Sequence, residues 1–239
     1  MLILFTADQL RHKAAANLIN NKIGLSLIIC EPKTYKFDEN AKYTEFSQKW
    51  HFNNLSVCEK ERYINCESWP NGVPIMTVKR GESSSDDVIS RVKNINAKCG
   101  IVFGTGILKE QLFEAIDYPL INLHQGVSPY YRGSGTNFWP IVNREPEYLG
   151  ATIHYIDKGV DTGNIISHVF PDKNMQYKTI HDIGLSIVDR SVQKVIKIIE
   201  SNISKNFNYP SGFAQIKSTK AYRRKDPDTL SIKKAYQYF

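Results

Sequence analysis

Residues 1–30, "MLILFTADQLRHKAAANLINNKIGLSLIIC", lay out a strand, a helix and a second strand. The apolar run 1–6 reads as a strand, residues 8–22 as a helix, and residues 24–30 as the next strand. The alternation continues with "PIMTVK" (74–79) and with strands at 100–103 and 119–124. Between them, a helix at about 85–97 is entered through serines, with Asp86 and Asp87 where the helix dipole favours negative charge. Two more strands lie near 150–156 and 164–170, joined by a tight loop. The expected fold class is therefore α/β, a Rossmann-like doubly wound mixed sheet.

The first 205 residues are expected to form the main domain, with 206–239 as a short C-terminal extension too small to fold alone. Residues 31–72 break the alternation: they are polar and read as a helical insertion. The insertion's aromatics (Tyr35, Phe37, Tyr43, Phe46, Trp50, Phe52) are expected to pack it onto the body. Residues 178–202 place Ile180, Ile183, Ile187, Val192, Val195, Ile198 and Ile199 at near-helical spacing, which predicts a long amphipathic helix.

The longest apolar runs, "MLILF" and "IGLSLIIC", fall far short of the ~20 residues that span a bilayer. The first meets Asp8 too early for a signal peptide, so the expected location is the cytoplasm, with no membrane partner. Cys30, Cys58, Cys66 and Cys99 match no zinc spacing, and no metal is expected. The formal charge of +7 favours anionic partners, and much of the excess sits in "KSTKAYRRKDPDTLSIKK". Nucleic acid, a phosphorylated small molecule and a membrane surface are each compatible with the charge alone, and no nucleic-acid partner is expected.

In open α/β sheets ligands bind beyond the carboxyl ends of the strands. That rule singles out residues 6–13, 79–83, 104–108 and 124–136. The last stretch follows "LINLH" (120–124), in which Asn122 and His124 share one face and Ile121 and Leu123 the other. An amide donor beside an imidazole can steady a developing oxyanion and move a proton. Alone, such a pair is more often a structural cap. Downstream, "GATIHYIDKGVDTGNIISH" (150–168) carries Asp157 and Asp161 in a Gly-containing loop. Either carboxylate can be a simple turn former.

Taken together, the Asn-x-His strand end, the "SPYYRGSG" loop and "GATIHYIDKGVDTGNII" resemble the folate-dependent formyltransferase family over roughly residues 98–170. The resemblance implies the formyltransferase fold and implies Asn122, His124 and Asp161 as the catalytic set. An acceptor amine would attack the formyl carbon of 10-formyltetrahydrofolate. Asn122 and protonated His124 would steady the oxyanion, and Asp161 would raise the imidazole pKa and help relay a proton. The family's folate site falls on Phe103, Gly104, Thr105, Gly106, Ile107 and Leu108, as an apolar slot for the pterin. Backbone groups of Tyr155, Ile156, Asp157, Lys158, Gly159 and Val160 would read the pterin edge. Gln125-Gly126 stands where the family often has Pro-Ser after the histidine, which alters the acceptor side of the pocket.

For the acceptor, "FTADQLRHK" lacks the glycine-rich phosphate loop of the glycinamide ribonucleotide enzymes. The chain also ends before the RNA-binding domain of the methionyl-tRNA enzymes. In length it resembles the sugar N-formyltransferases, so the expected acceptor is a nucleotide-linked amino deoxysugar, made for surface polysaccharide. Arg11, His12, Lys13 and Arg132 are expected to hold its pyrophosphate, with Gln125 nearby. Formylation of another amine stays open (peptide, amino acid, methionyl-tRNA or purine precursor). So does a non-catalytic, nucleic-acid-binding relic of the fold. The aromatic end "KKAYQYF" would suit a homodimer contact.

Overall fold

A computed structural model describes residues 1–33, 42–203, 205–216, 221–223 and 226–239. Tyr35 and Phe37 of the insertion, and Lys217, Lys220, Arg224 and Lys225 of the basic tail, lie outside the described residues. The chain runs β1 (Leu2–Thr6), α1 (Leu10–Ile23), β2 (Leu27–Cys30), α2 (Gln48–Arg62), β3 (Ile75–Thr77), α3 (Asp86–Lys93), β4 (Cys99–Phe103) and α4 (Glu110–Glu114). It continues with β5 (Leu120–His124), β6 (Arg132–Gly133), α5 (Trp139–Val142), β7 (Ala151–Tyr155), β8 (Ile165–Val169), α6 (Ile180–Ile203), β9 (Ala221–Tyr222) and α7 (Thr229–Tyr238).

Seven strands form one sheet in the order β3-β2-β1-β4-β5-β7-β8. β1 pairs in parallel with both β2 and β4, so the strand order reverses beside it. β7 and β8 run antiparallel, which makes the sheet mixed, as the sequence implied. The two-residue strands β6 and β9 pair apart from it.

Alternation sends successive strand residues to two apolar layers. Leu2, Leu4, Ile101, Ile121 and Leu123 pack with α1, α6 and α7 on one face. Ile3, Phe5, Val102 and Leu120 pack with Val88, Val92 and Leu112 of α3 and α4 on the other. In α6, Ile180, Ile183, Ile187, Val192, Val195 and Ile199 are buried, as their spacing requires. The insertion supplies α2, capped where the Ser47 hydroxyl accepts from the Trp50 amide. Phe46 and Trp50 pack against the core, whereas Tyr43 is exposed.

The end of the chain packs onto the body. Ile232 and Ala235 of α7 enter the main core. The Tyr236 ring packs on Trp50, and its hydroxyl lies 2.7 Å from His181 Nε2 and 3.3 Å from His51 Nδ1. Of the three aromatics offered for a dimer contact, Tyr236 is thus turned inward, while Tyr238 and Phe239 stay exposed.

Burial pushes His51 down to about 4. Burial, reinforced by His51, pushes His181 to about 3. His12 and His124 are also lowered, first by burial. Unfolded histidine titrates near ~6.5. Because the folded values lie below it, the stability these neutral rings contribute is complete above ~6.5 and is lost as pH falls toward the folded values. Unfolding free energy should therefore fall between pH 7.5 and pH ~5, by at most about 1.4 kcal/mol per pH unit for each ring, and the midpoint of thermal melts should fall with it. A midpoint constant over that range would contradict the burial of these rings as neutral groups.

Candidate active site

The carboxyl end of β5 presents Asn122 and His124 away from the face that takes Ile121 and Leu123. Antiparallel pairing sets His154 of β7 opposite Asn122, and Thr152 opposite His124. The loop between β7 and β8 then returns Asp161 to this group, with a left-handed φ of 51° that Asp tolerates better than most residues.

The contacts close on one carboxylate. Asn122 Nδ2 donates to Asp161 Oδ1 at 3.2 Å and to His154 Nε2 at 3.0 Å. His124 Nδ1 lies 3.3 Å from Asp161 Oδ2. The Gly133 amide donates to the same oxygen at 2.8 Å. His154 Nδ1 faces the Tyr155 carbonyl at 2.7 Å, which assigns the proton to Nδ1 and leaves Nε2 to accept from Asn122. At rest both amide hydrogens of Asn122 are thus committed within the cluster.

Burial favours the neutral acid of Asp161, but His124, His154 and the Gly133 amide outweigh it and hold the group ionised, at about 2. For His124 the balance goes the other way. Asp161 and the Tyr131 carbonyl favour the proton, but burial is the largest influence and the net shift is downward. Asp161 does raise the imidazole, as expected, but in the resting fold it only partly offsets desolvation. Nε2 meanwhile lies 2.7 Å from the Tyr131 carbonyl oxygen. Acceptors therefore face both ring nitrogens.

The loop after β5 is shaped to come this close. A Cβ on Gly126 would sit 2.7 Å from His124 Nε2 and 2.5 Å from the Tyr131 carbonyl oxygen. The Thr152 hydroxyl ties the loop to β7, donating to the Gly126 carbonyl at 2.7 Å and accepting from the Ser128 amide at 2.9 Å. His154, Thr152 and Gly133 went unnoticed as site residues in the sequence. The first two had a signal: "ATIHY" alternates so that both share one face of their strand.

The other expected site residues divide. Phe103 and Leu108 are buried, and Leu108 packs beside Ile156. Ile107 is 74% exposed, on the rim rather than inside a slot. Gly104 has φ 85°, and a side chain there would strike His12. Gly106 stands against the Glu31 carboxylate, and Thr105 is half-buried. Lys158 forms an ion pair with Glu110, drawing the 156–160 loop to the start of α4, while Val160 is exposed. Asp157 is a turn former: it accepts from the Gly159 amide at 3.0 Å and the Thr162 hydroxyl at 2.6 Å.

The expected phosphate cluster is not assembled as such. Arg11 is ion-paired with Glu59 of α2. Lys13 donates to the Glu67 carbonyl at 2.7 Å and lies 5.8 Å above Trp69. His12 is buried against Phe103. Gln125 donates to Ser191 of α6 at 3.1 Å. Arg132 alone of the five lies beside the cluster, close enough for its charge to lower His124. All four cysteines are free thiols. Among the described residues no group of three or more His, Cys, Asp or Glu side chains is placed to hold a metal, and no helix is long and apolar enough to cross a membrane.

Fold and site together define an α/β enzyme with an amide–imidazole–carboxylate centre at the carboxyl edge of its sheet. The formyl transferase family model matches residues 31–180, and the chain belongs to that family. Among curated proteins it is 29% identical over 133 residues to the methionyl-tRNA formyltransferase of Clostridioides difficile (strain 630), covering 54% of this chain and 42% of that protein. The matched stretch therefore spans less than half the length of that relative. Among solved structures, the N-formyltransferase from Helicobacter canadensis, in complex with folinic acid and dTDP-3-aminofucose, has a TM-score of 0.61 at 18% identity, covering 100% of this chain and 81% of that one. Phosphoribosylglycinamide formyltransferase from Anaplasma phagocytophilum gives 0.59 at 15% identity, covering 93% and 97%. At these identities the likeness establishes the fold.

Gly133→Ala probes the carboxylate's anchor without any assumption about substrate. Its Cβ would lie 2.1 Å from the Tyr222 carbonyl oxygen, at φ 94°. The strain should cost about 1–3 kcal/mol in urea denaturation. Unchanged stability would show that β6 and β9 part freely.

Proposed function

We propose that this chain transfers the formyl group of 10-formyltetrahydrofolate to the amine of a nucleotide-linked amino deoxysugar. The observation that carries the transfer is that Asn122 and His124 each lie within 3.3 Å of the Asp161 carboxylate, in a member of the formyl transferase family. The donor supplies an activated one-carbon unit. The residues at the mouth fit such a molecule: exposed Ile107 and Val160 lie on loops that the Lys158–Glu110 pair draws together. Leu108 and Ile156 share one apolar layer, and Phe103 ends β4 packed against His12. Backbone groups of 104–106 and 155–160 would meet the pterin's polar edge.

Asn122 then turns one amide hydrogen from the cluster toward the oxygen on which negative charge develops. His124 takes up the proton of the attacking amine, which relieves the clash of its bare nitrogen with an acceptor. Asp161, held ionised, stabilises the imidazolium until the proton passes to the leaving nitrogen. Arg132 remains the cation best placed for the acceptor's phosphates.

The sugar acceptor is supported by the Helicobacter canadensis likeness, which takes in the whole of this chain and whose structure holds a nucleotide-linked amino sugar. Methionyl-tRNA is the second reading, favoured by the sequence matches alone. A catalytic body of 1–205 with a 206–239 extension, a homodimer and a cytoplasmic location belong to the same proposal.

Tetrahydrofolate release from 10-formyltetrahydrofolate should depend on one member of a panel of amino-sugar nucleotides. His124→Asn and Asp161→Asn should each lower kcat by roughly 10²–10⁴, as expected for loss of acid–base and electrostatic assistance. Turnover only with methionyl-tRNA would move the acceptor to the second reading. Near-normal turnover in either variant would remove the assigned roles.

A further inference from the structure

The loop that carries the carboxylate at the centre of the site is held through its backbone by a part of the chain outside the family match, which ends at residue 180. Residues 210–215 are laced to the β7–β8 turn. Phe213 exchanges two backbone hydrogen bonds with Ile165, both 2.8 Å. Asn164 donates to the Ser211 carbonyl at 3.0 Å, and the Tyr155 hydroxyl donates to the Pro210 carbonyl. Gln215 then reaches over the turn. Its Nε2 donates to the carbonyl of Asp161 at 3.0 Å and to that of Gly163 at 2.7 Å.

A few residues on, the tail pairs with the segment whose Gly133 amide donates to that carboxylate. β9 pairs with β6, and the Ser134 amide donates to the Tyr222 carbonyl at 2.9 Å. The Tyr222 ring is stacked between Tyr131 at 5.4 Å and Trp139 at 5.0 Å. This holds the two backbone groups that define the cluster: the Gly133 amide on Asp161 Oδ2, and the Tyr131 carbonyl on His124 Nε2.

Asp161 has a left-handed backbone that an L residue adopts only with support. A donor shared between its carbonyl and that of Gly163 supplies such support. Neither contact touches the reacting groups.

We propose that Gln215 is a positioning residue, which, with the pairing of β9 to β6, holds the Asp161 carboxylate against the His124 ring. The inference rests on the catalytic reading of Asp161. The groups facing His124 are Asp161, the Tyr131 carbonyl, His154 and Arg132, and only Asp161 depends on Gln215 through a direct bond.

The test is Gln215→Met, which keeps the length of the side chain and removes its donor. Histidine ring resonances followed by NMR report the titration of His124 without any substrate. Loss of a close carboxylate removes an influence that raises His124, so its midpoint should move down, by about half a pH unit or more. In the folate assay kcat should fall roughly tenfold, with KM for 10-formyltetrahydrofolate nearly unchanged. Gln215→Asn, which retains the amide on a shorter stem, carries the same test if the first variant does not fold. An unmoved His124 titration overturns the proposal, even where activity or melting temperature falls. If the wild-type chain releases no tetrahydrofolate with any acceptor, the proposed function fails, and the NMR titration still decides whether Gln215 places the carboxylate.

Discussion

The antiparallel pairing of β5 with β7 is the constraint on which the site depends. It sets His154 directly opposite Asn122, and Thr152 opposite His124, on a face otherwise committed to burial. Four polar side chains in such a place must satisfy one another or lose several kcal/mol of hydration without return. One carboxylate meets most of that demand. The Asp161 oxygens accept from Asn122 and Gly133 and face both rings, while Thr152 turns aside to hold the Gly126–Ser128 backbone.

The same economy explains the electrostatics. Asp161 stays ionised because its donors converge on it, and His124 is lowered because one partly shared carboxylate does not offset full burial. The resting cluster is therefore closed on itself, with a ring whose two nitrogens both face acceptors, while Arg132 and His154 oppose its cation. Such a ring does not hold a proton in advance. In the proposed reaction a ring that gives up its proton easily would suit the release step.

The chain end contributes more than its composition implies. Gln215, Phe213 and Tyr222 bind the loop that carries the carboxylate and the segment that donates to it, and α7 fills the core with Ile232 and Ala235. Backbone pairing, ring stacking and a single amide make those loop contacts.

Much of the fold was legible because its signals are local. Strand and helix alternation, and the spacing of Ile180 through Ile199, depend only on periodicity, and each named position in that run is buried or nearly so. Asn122 and His124 could be paired from strand parity, and Asp161 from family likeness. Sequence could not show that Arg11 answers Glu59 from a helix inserted between β2 and β3, or that Ile107 stands on the rim while Leu108 enters the core. Nor could it give the sign of the His124 shift. Those outcomes depend on distances between residues far apart in the chain and on how much water each site excludes. The sequence by itself determined which residues share a face; only the folded chain decided which faces meet, because pairing and desolvation are properties of the assembled layers.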